Sequence, residues 1–200
     1  MTHPRRTFVL AALSLAPFLG SAALAAFGDT HRPSTLPWSD VVQVASFDPA
    51  QGQLSAVVLS IDAFARMDLR AENLGTGPQL VSAHGVANVS VQLPNGVSIA
   101  DVPFEGGALW TLAPFDGAAD FAGPSGEIST SSARRHVEVL IDDPALVLYF
   151  VGLPESGGVV ELPVSAVGST AIVGGRPLSQ SAAIDAGVRV RVQYLLDASD

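Results

Sequence analysis

The stretch VVLSIDAFARMDLRAE, residues Val57–Glu72, alternates apolar and polar side chains along its whole length. Apolar residues occupy the odd positions and mostly polar residues the even ones, and neither Gly nor Pro interrupts them. A period of two places the two sets on opposite faces of an extended chain. At about 3.3 Å per residue the stretch spans about 50 Å, which is long for a single strand. We therefore predict one long strand with one apolar face, and a bulge or bend at Phe64, the apolar residue on the polar face.

Turn-forming residues precede this strand. In Phe47–Gly52, Asp48 and Pro49 stand at the first corner and Gly52 stands at the last. Pro presets φ at its corner, and Gly takes up a positive φ without steric cost. We expect Val41–Phe47, this turn and the long strand to form the first hairpin of a β domain.

Further alternating segments, separated by clusters of Gly, Pro and Asn, continue to the end of the chain. Gly85 is expected to mark a bulge, and Pro94–Asn95–Gly96 a tight hairpin with a type I′ turn. Leu146–Val151 is apolar on both faces, which favours a central strand covered on both sides. About ten strands at short spacing predict an all-β antiparallel sandwich, with a β-barrel as the alternative. The predicted core includes Val57, Leu59, Ile61, Leu69, Val89, Val91, Val137, Val139, Leu148, Phe150, Leu162, Val190 and Val192.

The first 25 residues have the three parts of a secretory signal peptide. Arg5–Arg6 supplies the charged start, Phe8–Leu19 the apolar core and Ala23–Ala25 the small-residue end. The apolar core is shorter than the roughly 20 residues that a membrane span needs. We predict cleavage after Ala25, by the general secretory route or, given the paired arginines, by the twin-arginine route. The predicted organisation is a signal peptide at 1–25, an N-terminal extension at 26–40 that becomes ordered near Trp38, and a β-sandwich domain at 41–197.

The chain is acidic and contains no cysteine. It carries 10 basic residues, all of them arginine, against 19 acidic ones. Loss of Arg5 and Arg6 with the signal leaves eight basic against 19 acidic residues, a formal charge of −11. This acidity argues against a nucleic-acid partner and against anionic membrane surfaces, because both need a basic footprint. We expect no membrane insertion after signal cleavage, and the absence of cysteine excludes disulfides and thiolate chemistry.

Four motifs stand in order along the chain. They are Phe47-Asp48-Pro49-Ala50-x-Gly52-x-Leu54, then Glu72-Asn73, then the run from Phe115-Asp116-Gly117 to Gly123-Pro124-Ser125-Gly126, and last Val-x-Val-x-Tyr at Val190–Tyr194. In order and spacing they resemble the choice-of-anchor E domain, and the match covers about Val41 to Leu196. The resemblance implies an exported bacterial surface domain, rich in β structure and of unknown function, and no catalytic residues are carried over from it.

Members of that family bear one of several C-terminal sorting signals, the PEP-CTERM type among them. The printed sequence closes with Leu195–Asp200, which contains no sorting motif, hydrophobic span or basic tail. We therefore expect a protein without a sorting anchor, secreted outside the cell or released into the periplasm.

No constellation of catalytic residues emerges from the sequence. His84 and His136 lack metal-ligand spacing and are expected to be structural or surface residues. Gly123–Gly126 only echoes a serine-nucleophile motif, because no strand–turn–helix setting surrounds it. Carboxylate pairs such as Asp142–Asp143, or Asp101 with Glu105, suit an acid and a base, but turn-forming Asp is far commoner than catalytic Asp.

Two functions from different classes therefore stand. The first is an exported, non-catalytic surface or extracellular-matrix module with a cell-surface polysaccharide or protein as partner, and with no enzyme activity and no cofactor. The alternative is a secreted carbohydrate-active hydrolase that uses a carboxylate pair.

One loop suggests a metal site. Asp116 and Asp120 stand four residues apart, and Gly117 and Gly123 free backbone carbonyls beside them. Ca²⁺ takes six to eight oxygen ligands in irregular geometry, so the two carboxylates would supply part of a calcium site. The other interpretation is that Asp116 caps the turn through a side-chain to backbone hydrogen bond.

Overall fold

The computed structural model describes residues 23–26, 30–152 and 158–197. These residues form nine strands in two antiparallel sheets that pack face to face, which confirms the predicted all-β sandwich and not the barrel. The strands are β1 (Ala23–Ala26), β2 (Thr30–Thr35), β3 (Trp38–Ala45), β4 (Leu54–Asn73), β5 (Gln79–Gln92), β6 (Ser98–Leu112), β7 (Gly126–Ile141), β8 (Val159–Val173) and β9 (Leu178–Leu196).

Strand β4 is the long strand that the alternating stretch predicts. It runs for 20 residues in the middle of sheet A, whose order is β1-β9-β4-β7 with β2 also paired to β9. The predicted bulge at Phe64 is wrong, because Phe64 pairs in unbroken register with Arg134 of β7 and Gly187 of β9. The Arg134 guanidinium lies 5.9 Å from the centre of the Phe64 ring. This cation covers an aromatic ring on the outer face, so no bend is needed to hide it.

Sheet B has the order β3-β8-β5-β6, and this order overturns the predicted first hairpin. Strand β3 pairs with β8, so Val41–Phe47 and the long strand lie in opposite sheets. The turn chemistry itself is present: Pro49–Gln51 form a single 3-10 turn, and the carboxylate of Asp48 accepts a hydrogen bond from the Ala50 N–H at 2.9 Å. The turn carries the chain between sheets, because β7 and β9 already occupy both sides of β4.

Two other local predictions change in detail. The hairpin at Pro94–Gly96 is present, with the Gly96 N–H donating to the Leu93 carbonyl at 2.9 Å. Among the non-glycine residues that the structure describes, only Phe121 has a positive φ, so Asn95 does not and the turn is not type I′. Gly96, at φ 81°, follows the turn as the left-handed residue.

The bulge expected at Gly85 is wrong, because Gly85 pairs in regular register. A Cβ at Gly85 would lie 3.0 Å from the Met67 sulfur of sheet A, so the glycine makes room for that side chain.

The predicted central strand at Leu146–Val151 is wrong. Helix α1 (Pro144–Val147) and a 3-10 turn at Leu148–Phe150 occupy this segment. The carboxylate of Asp143 accepts a hydrogen bond from the Ala145 N–H at 2.8 Å, and Pro144 sits in the first turn, so an Asp-Pro helix start prevails over the apolar run. Leu148 is 69% exposed and is not a core residue, whereas Phe150 is fully buried.

One large core fills most of the space between the sheets, and a smaller buried cluster of Ala71, Val81 and Leu112 is separate from it. Val137 and Val139 are only partly buried, because β7 is an edge strand bonded to β4 alone. Tyr194 reaches the core rim, where its hydroxyl donates to the Ala45 carbonyl at 2.5 Å and burial raises its pKa. The predicted core residues that are buried are Val57, Leu59, Ile61, Leu69, Val89, Val91, Phe150, Leu162, Val190 and Val192.

The N-terminal segment joins the sandwich earlier than the Val41 boundary predicts. Thr30–Thr35 pairs with β9 as β2, and β3 already begins at Trp38. Ala23–Ala26 also pairs with β9, across the predicted cleavage site after Ala25. The rest of the predicted signal peptide, residues 1–22, lies outside the described residues. Within the described part of the chain, no helix is long and apolar enough to cross a membrane.

Candidate functional site

Three connections meet at one end of the sandwich, where the sequence places its candidate metal site. They are residues 74–78 between β4 and β5, residues 113–125 between β6 and β7, and residues 174–177 between β8 and β9. The Phe115 N–H donates to the Gly75 carbonyl at 2.8 Å, and the Leu74 N–H donates to the Pro177 carbonyl at 3.1 Å. We call these three connections together the loop end.

Asn73, the last residue of β4, ties two of these connections to the sheet. Its side-chain nitrogen donates to the carbonyls of Gly77 at 2.8 Å and Ala113 at 2.6 Å. Its side-chain oxygen accepts from the Gly75 N–H at 2.8 Å and from the Gln79 side-chain nitrogen at 2.6 Å. All four hydrogen-bonding positions of a buried amide are therefore used.

Glu72, next to it on β4, is a fully buried carboxyl group. Its Oε1 accepts a hydrogen bond from the hydroxyl of buried Ser125 at 2.5 Å, and the Ser125 carbonyl in turn accepts from the Asn73 N–H at 2.8 Å. Its Oε2 is buried without a hydrogen-bond partner among the described residues. A Cβ on Gly126 would collide with that oxygen, so the glycine at the start of β7 makes room for the carboxyl group.

The two predicted calcium ligands, Asp116 and Asp120, lie on the connection 113–125, which also contains Ser125. Asp116 accepts a hydrogen bond from the Ala118 N–H at 3.0 Å, and Asp120 accepts one from the Ala122 N–H at 3.0 Å. Each carboxylate therefore accepts a hydrogen bond from the N–H two residues further along the chain. This is the capped turn that the alternative to calcium binding predicts for Asp116. Across the described ranges, no group of three or more His, Asp and Glu side chains is placed to hold a metal ion. The calcium site stays a prediction.

A second polar group lies on the outer face of sheet A. Asp62 accepts hydrogen bonds from His136 at 2.8 Å and from Arg191 at 2.6 Å, and Glu138 lies 3.6 Å from the other ring nitrogen of His136. Partial burial raises the pKa of Asp62, but the bonds from His136 and Arg191 outweigh it and hold that pKa below its ordinary value. These side chains lie on the solvent-facing side of sheet A, and His84 is exposed on the solvent-facing side of sheet B.

A third group surrounds Asp101 on the outer face of sheet B. The carboxylate accepts hydrogen bonds from the hydroxyl of Ser90, from Ser98 at 2.9 Å and from the Asn88 amide at 3.2 Å. The bond from Ser90, followed by those from Ser98 and Asn88, lowers the pKa of Asp101 against the opposing effect of its partial burial. Asp101 is thus engaged by neutral donors, and Glu105 is not among its hydrogen-bond partners.

The fourth group lies where edge strand β2 approaches edge strand β3. The sequence alone does not predict it. His31 contacts Asp40 through Nδ1 at 2.7 Å and Ser34 through Nε2 at 3.1 Å. We call these three residues the N-terminal corner. All three belong to the segment predicted to be an N-terminal extension. The spacing of His31 and Ser34 does not predict their contact, because residues three apart on a regular strand face opposite sides.

Comparisons with known proteins add little to this geometry. No family model and no curated protein matches the chain. Two solved structures of infectious bursal disease virus, of the Gx and Gt strains, align with 95% and 94% of this chain at 11% identity, with TM-scores of 0.19 and 0.14. The aligned region spans 42% and 47% of those viral chains. Scores this low carry no argument about function, which rests on the residues of this chain.

Proposed function

We propose that this chain is an exported surface or extracellular-matrix module whose sandwich acts as a scaffold with an adhesive face. The proposal rests on one observation, a group of large aliphatic side chains exposed together on the outer face of sheet B. Leu80, Leu109 and Val173 are 61%, 66% and 66% exposed. We call these three residues the aliphatic patch.

The strand register brings the patch together. Leu109 of β6 and Val173 of β8 both stand opposite Ser82 of β5, one on each side, and Leu80 lies two residues before Ser82 on the same face. Three aliphatic side chains therefore surround one small residue at the end of the sheet near the loop end. Apolar groups gathered on a protein surface are typical of interaction sites, and they suit a protein partner better than a strongly hydrated polysaccharide.

Export and the bacterial cell surface enter the proposal from the sequence. The three-part N-terminal segment and the motifs that resemble those of the choice-of-anchor E domain both support a protein that works outside the cytoplasm. Recovery of the protein from culture fluid or periplasm with Ala26 as its first residue would support this part of the proposal, and recovery from the cytoplasm with Met1 intact would contradict it.

The alternative hydrolase gains no support from its carboxylates. Asp143 accepts the N–H of Ala145 as the cap of α1, and Asp101 is held by three neutral donors. The suggested pairs line neither the depression along β3 and β8 nor the one between the turn at Pro49 and α1. The adhesive module is therefore the function that we put forward.

The test is binding of the exported protein to envelopes and matrix prepared from the producing cells. We expect the double variant Leu109→Ser/Val173→Ser to lose at least about tenfold in affinity, because two exposed aliphatic contacts are removed. The matched control is Ile128→Ser, which changes a 47% exposed aliphatic residue on sheet A and should bind as the wild type does. Equal binding by all three proteins, or loss of binding in the Ile128 variant alone, would contradict the proposal.

A further inference from the structure

The N-terminal corner has the connectivity of a nucleophile, a base and an orienting acid. The Asp40 carboxylate can only accept hydrogen bonds when ionised, so the proton of a neutral His31 lies on Nδ1, 2.7 Å from Asp40. Nε2 is then an acceptor, and it faces the Ser34 hydroxyl at 3.1 Å. Both distances fall within the hydrogen-bonding reach that such catalytic groups require.

A bulge in β2 creates this arrangement. His31 pairs with Val188 and Ser34 pairs with Ala186, so three steps along β2 match two steps along β9. The extra residue turns Ser34 to the side that His31 occupies, which a regular strand would not allow. Gly187 lies under the bulge, where a Cβ would come within 2.9 Å of the Pro33 nitrogen and 3.0 Å of the His31 carbonyl oxygen. The glycine therefore permits the close approach of the bulged strand to β9.

Neighbouring groups hold the base and the acid in place. The His31 ring stacks on Trp38 with ring centres 3.9 Å apart, and the Trp38 indole N–H donates to the Ala186 carbonyl at 3.1 Å. The second oxygen of Asp40 accepts the Val41 N–H at 2.8 Å. That backbone bond, followed by the bond from His31, lowers the pKa of Asp40 and keeps its carboxylate ionised at neutral pH. The His31 side chain is only 16% exposed, which restricts its motion further.

We propose that Ser34, His31 and Asp40 form a hydrolytic triad for acyl esters, with Ser34 as the nucleophile. The Ser34 oxygen bonds to the ester carbonyl carbon while His31 Nε2 takes the hydroxyl proton, and the carbonyl electron pair moves to oxygen. When this pair returns, the bond to the alcohol oxygen breaks and His31 gives its proton to the departing alcohol. Water, activated by His31 in the same way, then adds to the acyl carbon and releases the acid and free Ser34. Asp40 orients His31 and stabilises its charged form throughout.

The surroundings of Asp40 suggest the class of ester. An open depression begins at Asp40 and runs along edge strand β3 and its neighbour β8, where Ser39, Gln92 and Ser165 line it together with Val41, Pro163 and Val164. Hydroxyl and amide groups on an open surface suit an alcohol that itself bears hydroxyl groups. The substrate class is therefore an acyl ester of a sugar or polyol. This inference goes beyond the adhesive role and departs from the non-catalytic module that the sequence predicts.

The experiment combines active-site labelling with ester hydrolysis on the exported full chain. A fluorophosphonate probe should label the wild type, and peptide mapping should place the label on Ser34. Ser34→Ala should abolish both the label and the hydrolysis of p-nitrophenyl acetate. Ser132→Ala, a change of an exposed serine on β7 away from the corner and the depression, should leave both intact. Absence of labelling in the wild type, or a label on another residue, would overturn the proposal.

Two further variants separate catalysis from folding. His31→Gln should slow hydrolysis by about 100-fold or more while the circular dichroism spectrum stays that of the wild type. Asp40→Asn should lower kcat far more than it changes KM, because the main role of Asp40 is to orient His31 and stabilise its charged form. Glucose pentaacetate should then be deacetylated by the wild type and the Ser132 variant but not by the Ser34 variant. Folded His31 and Asp40 variants with unchanged kcat would contradict the triad.

Discussion

Replacing Asn73 by Ala should be among the more damaging single changes at the loop end. The side chain makes four hydrogen bonds, two as donor to Gly77 and Ala113 and two as acceptor from Gly75 and Gln79, at 2.6 to 2.8 Å. A hydrogen bond within a protein contributes about 0.5–1.5 kcal/mol net, so four of them sum to about 2–6 kcal/mol. Water can reach some of the released partners, because this end is partly exposed, and we therefore expect a loss of about 3 kcal/mol in the free energy of unfolding.

The assay is urea denaturation at 25 °C followed by circular dichroism, with amide hydrogen exchange of residues 74–78 and 113–125 as a local readout. Exchange in both segments should accelerate, because Asn73 holds each of them. Asn88→Ala is the matched control: its amide bonds to Ser90 and Asp101 on the outer face, and its loss should cost less than about 1 kcal/mol. A loss below about 1 kcal/mol for Asn73→Ala, or unchanged exchange in both segments, would contradict this role of Asn73.

Three further outcomes follow from burial, charge and loop geometry. Phe150→Ala should cost about 3–5 kcal/mol in the free energy of unfolding, whereas Leu148→Ala, at a 69% exposed position, should cost less than about 1; equal losses would contradict the helical turn. The pKa of Asp101 is lower in the folded chain than the ordinary value near 4, so the ionised carboxylate stabilises the fold above pH 4 and this stabilisation is lost as the pH falls through the folded pKa. Asp101→Asn should therefore flatten the decline of Tm below pH 4. An unchanged decline would contradict this role of Asp101. The Asp116→Asn/Asp120→Asn variant tests the calcium prediction: if these carboxylates only close their turns, Ca²⁺ and chelator leave Tm unchanged, whereas a rise in Tm with Ca²⁺ that the variant lacks would support the calcium site.

The period of the apolar residues predicts which side chains of a strand are buried, and this prediction is largely correct for β4. The alternation predicted the burial of β4 from Val57 to Ala71, because a period of two is a local property of one extended strand, but it placed Glu72 on the polar face, and Glu72 is fully buried. It did not identify the partner of β3, since strand pairing depends on which edges of the two sheets are free. It also misplaced Leu146–Val151, where the Asp-Pro cap of α1 outweighs the apolar run.

The sites show the same division between local and distant information. The turns closed by Asp116 and Asp120 are local, and the sequence contains both interpretations of them. The contact between Ser125 and Glu72 joins residues 53 apart, so no spacing rule finds it. The N-terminal corner escapes detection for a different reason, because a single extra residue in β2 reverses the side that Ser34 faces.

We propose the aliphatic patch of sheet B as the surface through which this protein binds its partner. Hydroxyl-radical footprinting of the exported protein, free and bound to envelopes or matrix of the producing cells, tests it most directly. The proposal predicts that Leu80, Leu109 and Val173 become protected on binding, while Ile128 on sheet A keeps its reactivity. Protection of Ile128 with the patch left unprotected would contradict it.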